Sequence, residues 1–444
     1  MKEHFSKIGF VLAMAGSAVG LGNAWKFPTM VGQNGGSAFI LLYLLLTILV
    51  AFMVFLAELS IGRLSRKDSV NAFYLLANNN KKAWSFAGFF MIGAILIVCF
   101  YSVVIGWIVY YIYKSFFTLP QNINESAALF SNLLQADIFS QIICFSIVFI
   151  FIFLIVNKGI KNGIEKMNVF MMPALFILLL LMLIYSFSFD GFLKACEFLF
   201  YPDFSKLNEN SILNALGLSF FSMSIGVCAV LTYAASLPDK INVIKSTLSI
   251  ILINVLIGIM MGLIIFTFVF EFGADSSSSG PGLIFVSLTN LFSKLGILGN
   301  ILAFAFFVSL FFAGVTSAVS MIEPFCFYLI NRFNIKRSLA LFYIGIFVYI
   351  IGILCILSSA VKTNYNFNIF SYDLFSLLDF LTSNILMPLS AIIICIFVAF
   401  CINQEKLKNF FIPYMGHTFF LIWINFLRFI CPIAIAIIAI SNFI

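Results

Sequence analysis

The chain has 444 residues, 63% of them hydrophobic and only 9% charged, with a formal net charge of +7. Soluble domains carry about 25% charged residues, so this composition excludes an ordinary soluble enzyme or binding module. The positive balance, taken alone, fits a nucleic-acid partner, but its distribution along the chain assigns it to membrane topology instead.

Apolar runs long enough to cross a bilayer, about 20 residues each, recur from end to end. They predict eleven spans, at 8–32, 37–62, 86–117, 138–157, 167–189, 211–236, 242–272, 297–330, 338–358, 374–401 and 411–441, making one membrane domain over 1–444. Met1 to Ser6 lead into the first run with no small-residue cleavage site, so no removable signal peptide is expected. With the amino terminus inside, 17 of the 24 basic residues fall on the inner side, including Arg63, Arg66, Lys67, Lys158, Lys161, Lys166, Arg332 and Arg337. That satisfies the positive-inside rule and places the carboxyl terminus outside. The stretch 273–282, rich in Ser and Gly, reads as an exposed outer loop. The nine cysteines show no C-x-x-C spacing and lie mostly in apolar runs, where they read as small buried hydrophobes.

The first segment is a poor helix at its middle. Gly16, Ser17, Gly20, Gly22 and Asn23 fall at the expected bilayer midplane, and each glycine weakens a helix by about 1 kcal/mol relative to alanine. Non-helical backbone at that depth survives only when buried in protein or lining a cavity. Close helix packing accounts for small residues, but not for Asn23 followed by Lys26 and Pro28. Segment six is interrupted in the same way across Phe220–Val227, where Ser222, Ser224 and Gly226 break an apolar run. Each break falls on the first helix of a five-span set. Paired interrupted helices in corresponding positions point to a transporter site, with freed carbonyls available to a cation and helix amino ends to a carboxylate.

The residues then become specific. The run Ala13-Met-Ala-Gly-Ser-Ala-Val-Gly-Leu-Gly-Asn-Ala-Trp-Lys-Phe-Pro28, with Asn34-Gly-Gly-Ser-Ala-Phe39, closely resembles the neurotransmitter:sodium symporter family. So do Glu58-x-x-x-Gly-Arg63, the loop Lys158–Lys166 and Phe311-Phe-Ala-Gly-Val-Thr-Ser-Ala318. The resemblance covers essentially the whole chain and is to a prokaryotic, LeuT-like, sodium-dependent amino-acid transporter. It implies an all-α integral membrane protein of eleven transmembrane helices with unwound first and sixth helices. The inverted repeats would span 1–189 and 211–401, with 411–441 as an extra helix.

The resemblance also implies a site. A first sodium would take the Ala18 carbonyl, the Asn23 side chain, Ser222 and Asn254, completed by the substrate carboxylate. A second would take the carbonyls of Gly16, Val19 and Ala313 with the hydroxyls of Thr316 and Ser317. Both sets are neutral oxygens, suited to a hard monovalent cation. The substrate carboxylate would meet backbone amides near Leu21 and Gly22 and the Tyr101 hydroxyl. Its side chain would lie among Ser17, Ile97, Phe221, Ser224, Val227, Ser317, Ser320 and Met321. Lys26 and Asp379 would pair as an outer gate, and Glu58, too costly in a membrane without a partner, would brace the unwound part of segment six.

Several positions depart from the family. Lys26 stands where relatives have Arg and loses the bidentate fork. The inner-gate candidates are Lys2 and Asn331, so the usual ion pair is absent or rerouted through Glu323, and Phe5 stands for a Trp. Tyr43, Ser222 and Asn254 match chloride-site positions, but Leu218 replaces a Gln and Gly258 offers neither a Ser nor an acid, which argues against chloride.

The expected activity is sodium-coupled uptake of an amino acid by alternating access, in the cytoplasmic membrane of a prokaryote, as a monomer or weak dimer. Sodium, the amino acid and the bilayer are its expected partners, with no nucleic acid and no enzymatic chemistry. Val227 and Met321 suggest a hydrophobic or aromatic substrate, while Ser17, Ser224 and Ser320 leave a polar one open. The two histidines, His4 and His417, both near segment ends, argue against a haem-bearing respiratory subunit. A transport-inactive sensor or channel on the same scaffold is the remaining alternative.

Overall fold

The computed structural model describes residues 4–238, 241–273, 281–360 and 373–441, so Lys2 and most of the 273–282 loop lie outside the described residues. Among those residues the chain is helical, with a single isolated β-bridge between Ala77 and Ile402. In order, the helices are α1 (Lys7–Ala18), α2 (Gly22–Gln33), α3 (Ser37–Ser65), α4 (Ser69–Leu76), α5 (Lys81–Lys114), α6 (Ile123–Gln135), α7 (Ile138–Asn157) and α8 (Ile160–Ser186). They continue as α9 (Gly191–Phe200), α10 (Glu209–Ser222), α11 (Ala229–Ala235), α12 (Val243–Glu271), α13 (Leu283–Ser293), α14 (Ile297–Phe333), α15 (Arg337–Ser358), α16 (Leu374–Cys401) and α17 (Gln404–Ser441).

Nine of the described helices are long and apolar enough to cross a membrane, and α1 with α2 make a tenth, bent by 63° at its break. The expected sixth span instead divides into α10 and α11, each too short to cross alone. Three predicted starts move for one reason: polar helical turns extend α5 back to Lys81, α8 back to Ile160 and α17 back to Gln404. Hydropathy marks the apolar stretch and misses the wet turn before it. Within α17, Gly416 (φ 74°) kinks the helix.

Helix starts follow local capping chemistry. Ser6 Oγ accepts from the Gly9 N–H at 3.0 Å, and Asp68, Asn242 and Asp373 cap α4, α12 and α16 likewise. Asn208 and Ser211 form a reciprocal box at the start of α10.

Buried α1 packs against α8, α12 and α14, while α5 packs against α7, α14 and α15. The broken sixth segment rests on α3, which contacts both α10 and α11. The α3–α11 approach is backbone to backbone: a Cβ at Gly62 would overlap the Leu231 carbonyl oxygen. Small residues permit such approach where apolar burial gives no net drive between helices.

Gly62→Val is therefore expected to push α11 off α3. Overpacking costs about 1–3 kcal/mol, so the variant should melt at a lower temperature in detergent. A melting curve superimposing on that of the parent would contradict the contact.

Candidate substrate and ion site

Both breaks occur where the sequence weakens the helix, and both are held open by named partners. At the first, Val19 leaves helical geometry (φ −75°, ψ 98°), and the chain resumes through a wide turn at Gly22–Lys26. The freed Leu21 N–H donates to Tyr101 Oη at 2.9 Å. At the second, Ser224, Gly226 and Cys228 adopt left-handed backbone (φ 51°, 88° and 61°). For Ser and Cys that conformation costs about 1–2 kcal/mol per residue, so the surroundings must enforce it. Glu58, fully buried in α3, does so: one carboxylate oxygen accepts from the Gly226 N–H at 2.9 Å, the other from the Leu231 N–H at 3.4 Å.

The two breaks and α14 meet around a cavity of about 40 Å³, lined by residues including Ser17, Ala18, Gly20, Gly22, Ile97, Tyr101, Phe221, Ser222, Ser224, Val227, Ser317 and Met321. Expected residues outside the lining are placed just behind it. Ser320 is buried with its Oγ 2.8 Å from Ser17 Oγ, and Leu21 contributes its backbone N–H rather than its side chain. Phe100, Ser383 and Met387 also line the cavity and were missed. The nearest signal was the aromatic and Met content around Tyr101 and in segment ten.

Two oxygen clusters flank the cavity. In one, Asn23 Nδ2 donates to the Asn254 carbonyl and to Asn254 Oδ1, both at 2.9 Å, which leaves Asn23 Oδ1 buried without a partner. Ser222 lies close by, its Oγ 3.1 Å from Tyr43 Oη. In the other, Ser317 Oγ reaches the carbonyls of Gly16 (3.1 Å), Ser17 (3.1 Å) and Val19 (3.3 Å). Thr316 Oγ1 donates to the carbonyls of Phe312 (2.9 Å) and Ala313 (3.0 Å) in the same helix. The structure thus gathers Gly16, Val19, Ala313, Thr316 and Ser317 from two helices.

A profile of the sodium:neurotransmitter symporter family matches residues 2–128 and 129–444. The chain is 36% identical to the uncharacterized sodium-dependent transporter YhdH of Bacillus subtilis over 441 residues, covering 98% of this chain and 96% of that one. An uncharacterized sodium-dependent transporter of Methanocaldococcus jannaschii is 31% identical over 422 residues, covering 91% and 82%. The chain belongs to the sodium:neurotransmitter symporter family. Among solved structures, that of MhsT in complex with L-phenylalanine matches with a TM-score of 0.87 and 32% identity, covering 99% of this chain and 100% of that one.

The gates expected from the family are only partly formed. Lys26 and Asp379 make no ion pair among the described residues. Lys26 Nζ instead sits 3.6 Å above the centre of the Phe221 ring, and Asp379 Oδ1 accepts from Ser383 Oγ at 3.0 Å. A primary ammonium has no planar fork to lock onto a carboxylate, and the ring face offers it a cation–π seat. Phe221, Ser383 and Met387 separate the cavity from a vestibule of about 250 Å³ that also touches Met30, Asn214 and Ile435.

At the other end Asn331 donates to Asp68 Oδ2 at 3.1 Å, and buried Glu323 pairs with Arg337, which also donates to the Val156 carbonyl at 2.6 Å. This ion pair joins α14 to α15. The amino-terminal strap is tied down at the same end. The Phe5 N–H donates to the Ser236 carbonyl at 3.2 Å, its ring packs 5.2 Å from Tyr233, and the Ser6 N–H donates to Glu165 Oε2 at 3.2 Å.

Glu58→Ala leaves the Gly226 and Leu231 N–H groups buried without acceptors, at about 1–3 kcal/mol each. A clear fall in melting temperature is expected, with Glu58→Gln intermediate because one acceptor oxygen survives. Equal melting temperatures for all three proteins would show that Glu58 does not support the break.

Proposed function

We propose that the chain is a sodium-coupled symporter that carries an amino acid with an apolar or aromatic side chain across the cytoplasmic membrane by alternating access. The observation that carries this reading is the fate of the hydroxyl protons around the cavity. Ser320 Oγ donates to the Ser317 carbonyl at 2.7 Å, so in the Ser17–Ser320 contact Ser17 must be the donor. Ser224 donates to the Ser17 carbonyl at 2.8 Å and Ser317 to the carbonyls of the first break. Tyr101 accepts from Leu21, and because Ser317 spends its proton on carbonyls, Tyr101 is the donor in its contact with Ser317. The three serines expected to serve a polar side chain are therefore already spent, and a carboxylate at the first break would take the Tyr101 proton from Ser317. What remains for the side chain is apolar, including Ile97, Phe100, Val227 and Met321. The L-phenylalanine bound by MhsT has the same chemistry.

The flanking clusters take the two sodium ions. The unpartnered Asn23 Oδ1, with the Ala18 carbonyl, Ser222 and Asn254, suits an ion whose charge the substrate carboxylate balances. Gly16, Val19, Ala313, Thr316 and Ser317 hold the other with neutral, hard oxygens. Gly258 and Leu218 supply no donor for an anion, and Ser222 donates to the Ser219 carbonyl while Tyr43 donates to Ser222, so transport runs without chloride. The chain sits with its amino terminus in the cytoplasm of a prokaryote and the Lys26 vestibule outside, as a monomer or weak dimer, with 1–189 and 211–401 as inverted repeats. Each inward sodium gains about 2.3 kcal/mol per 100 mV of membrane potential.

Purified protein in proteoliposomes should accumulate labelled phenylalanine under an inward sodium gradient, unchanged when gluconate replaces chloride. Uptake indifferent to sodium would overturn the proposal. Tyr101→Phe removes a hydrogen bond to a charged group, about 1.5–3 kcal/mol, so its KM should rise at least tenfold. A KM within twofold of the parent would remove Tyr101 from carboxylate binding.

A further inference from the structure

One buried oxygen near the second cluster has no role in the assignments above. Asn168, on α8, is fully buried; its Nδ2 donates to the Ile164 carbonyl at 2.8 Å, and its Oδ1 has no partner. That oxygen lies against the bare Cα of Gly16, where an added Cβ would overlap it, and the same Cβ would stand 3.0 Å from Thr316 Cβ. Asn168 Oδ1, Gly16 and Thr316 thus converge on one point, two of them members of the second cluster. The signature repeats that of Asn23, whose amino group is spent on Asn254 while its Oδ1 is orphaned beside the first cluster. A buried amide oxygen without a donor is costly, and more so where no water is at hand. A contact with the Gly16 Cα–H is too weak to offset that. No hydroxyl proton nearby is free, since Thr316 and Ser317 direct theirs at backbone carbonyls.

We propose that Asn168 Oδ1 is an additional oxygen donor, supplied from α8, for the cation held by Gly16, Val19, Ala313, Thr316 and Ser317. This rests on the sodium reading of that cluster. It adds a third helix to a site otherwise built by the broken first segment and α14, so separation of α1 from α8 weakens the ion's coordination.

The test is sodium-dependent thermal stabilisation of the purified full chain without amino acid, alongside sodium-dependent phenylalanine uptake. Asn168→Leu, near in volume but without the oxygen, should raise the sodium concentration at half-maximal stabilisation about tenfold. Asn168→Asp keeps an oxygen at the position and adds charge, so its midpoint should equal or fall below that of the parent and rise as pH is lowered. A packing role alone would move the melting temperature of both variants and leave both sodium midpoints within twofold of the parent, which overturns the inference. Asn168→Ala carries the same test with the same outcomes if the leucine variant does not elute as folded protein. A parent chain that sodium does not stabilise at all overturns the two-ion reading itself, a failure distinct from that of Asn168.

Discussion

A backbone that leaves helical geometry inside a bilayer must find partners within the protein, because hydrocarbon offers none. The rest of this structure depends on meeting that requirement twice, at the Val19–Leu21 break and at the Ser224–Cys228 break. Tyr101 takes the freed amide of the first, and Glu58 takes two amides of the second. Burying a carboxylate in α3 is expensive in isolation, yet here it is directed at amides that would otherwise be orphaned. The two costs offset each other, which is why neither a bare acid nor a bare break occurs.

The amides are satisfied by the protein, whereas several oxygens are left over. Donors around the cavity are spent internally, while Asn23 Oδ1 and Asn168 Oδ1 remain without partners. A site with surplus acceptors and few free protons favours a cation and disfavours an anion. The scaffold that preserves the breaks and the electrostatics that attract sodium are therefore one arrangement, since the unwound backbone both demands donors and presents carbonyls.

Much of this was legible in the sequence because it depends on local contrast. Glycines, Asn23 and Pro28 inside an apolar run announce a break, and a lone Glu58 within α3 requires a partner. The placement of Lys26 was not legible. A lysine and an aspartate expected near each other suggest an ion pair, and only the positions of Phe221 and Ser383 show that each finds another partner. Asn168 was invisible for a different reason. It lies on a continuous apolar helix about 150 residues from either partner, and nothing along α8 marks an oxygen that tertiary packing leaves empty. The break in segment six was visible, but not that its six residues divide the span into pieces too short to cross alone.

The two ends of the cavity are held by unlike forces. On the Lys26 side a flexible ammonium rests on an aromatic lid, a contact worth about 0.5–2 kcal/mol. On the opposite side the strap uses directed hydrogen bonds from Phe5 and Ser6, the latter to Glu165 on α8. Glu165 and Asn168 are three residues apart and so share a helix face. That face meets α1 at its capped start and again at Gly16, beside the second oxygen cluster. On the sodium reading of that cluster, the strap and the ion bear on the same pair of helices, so a movement that separates α1 from α8 along this face would disturb both contacts.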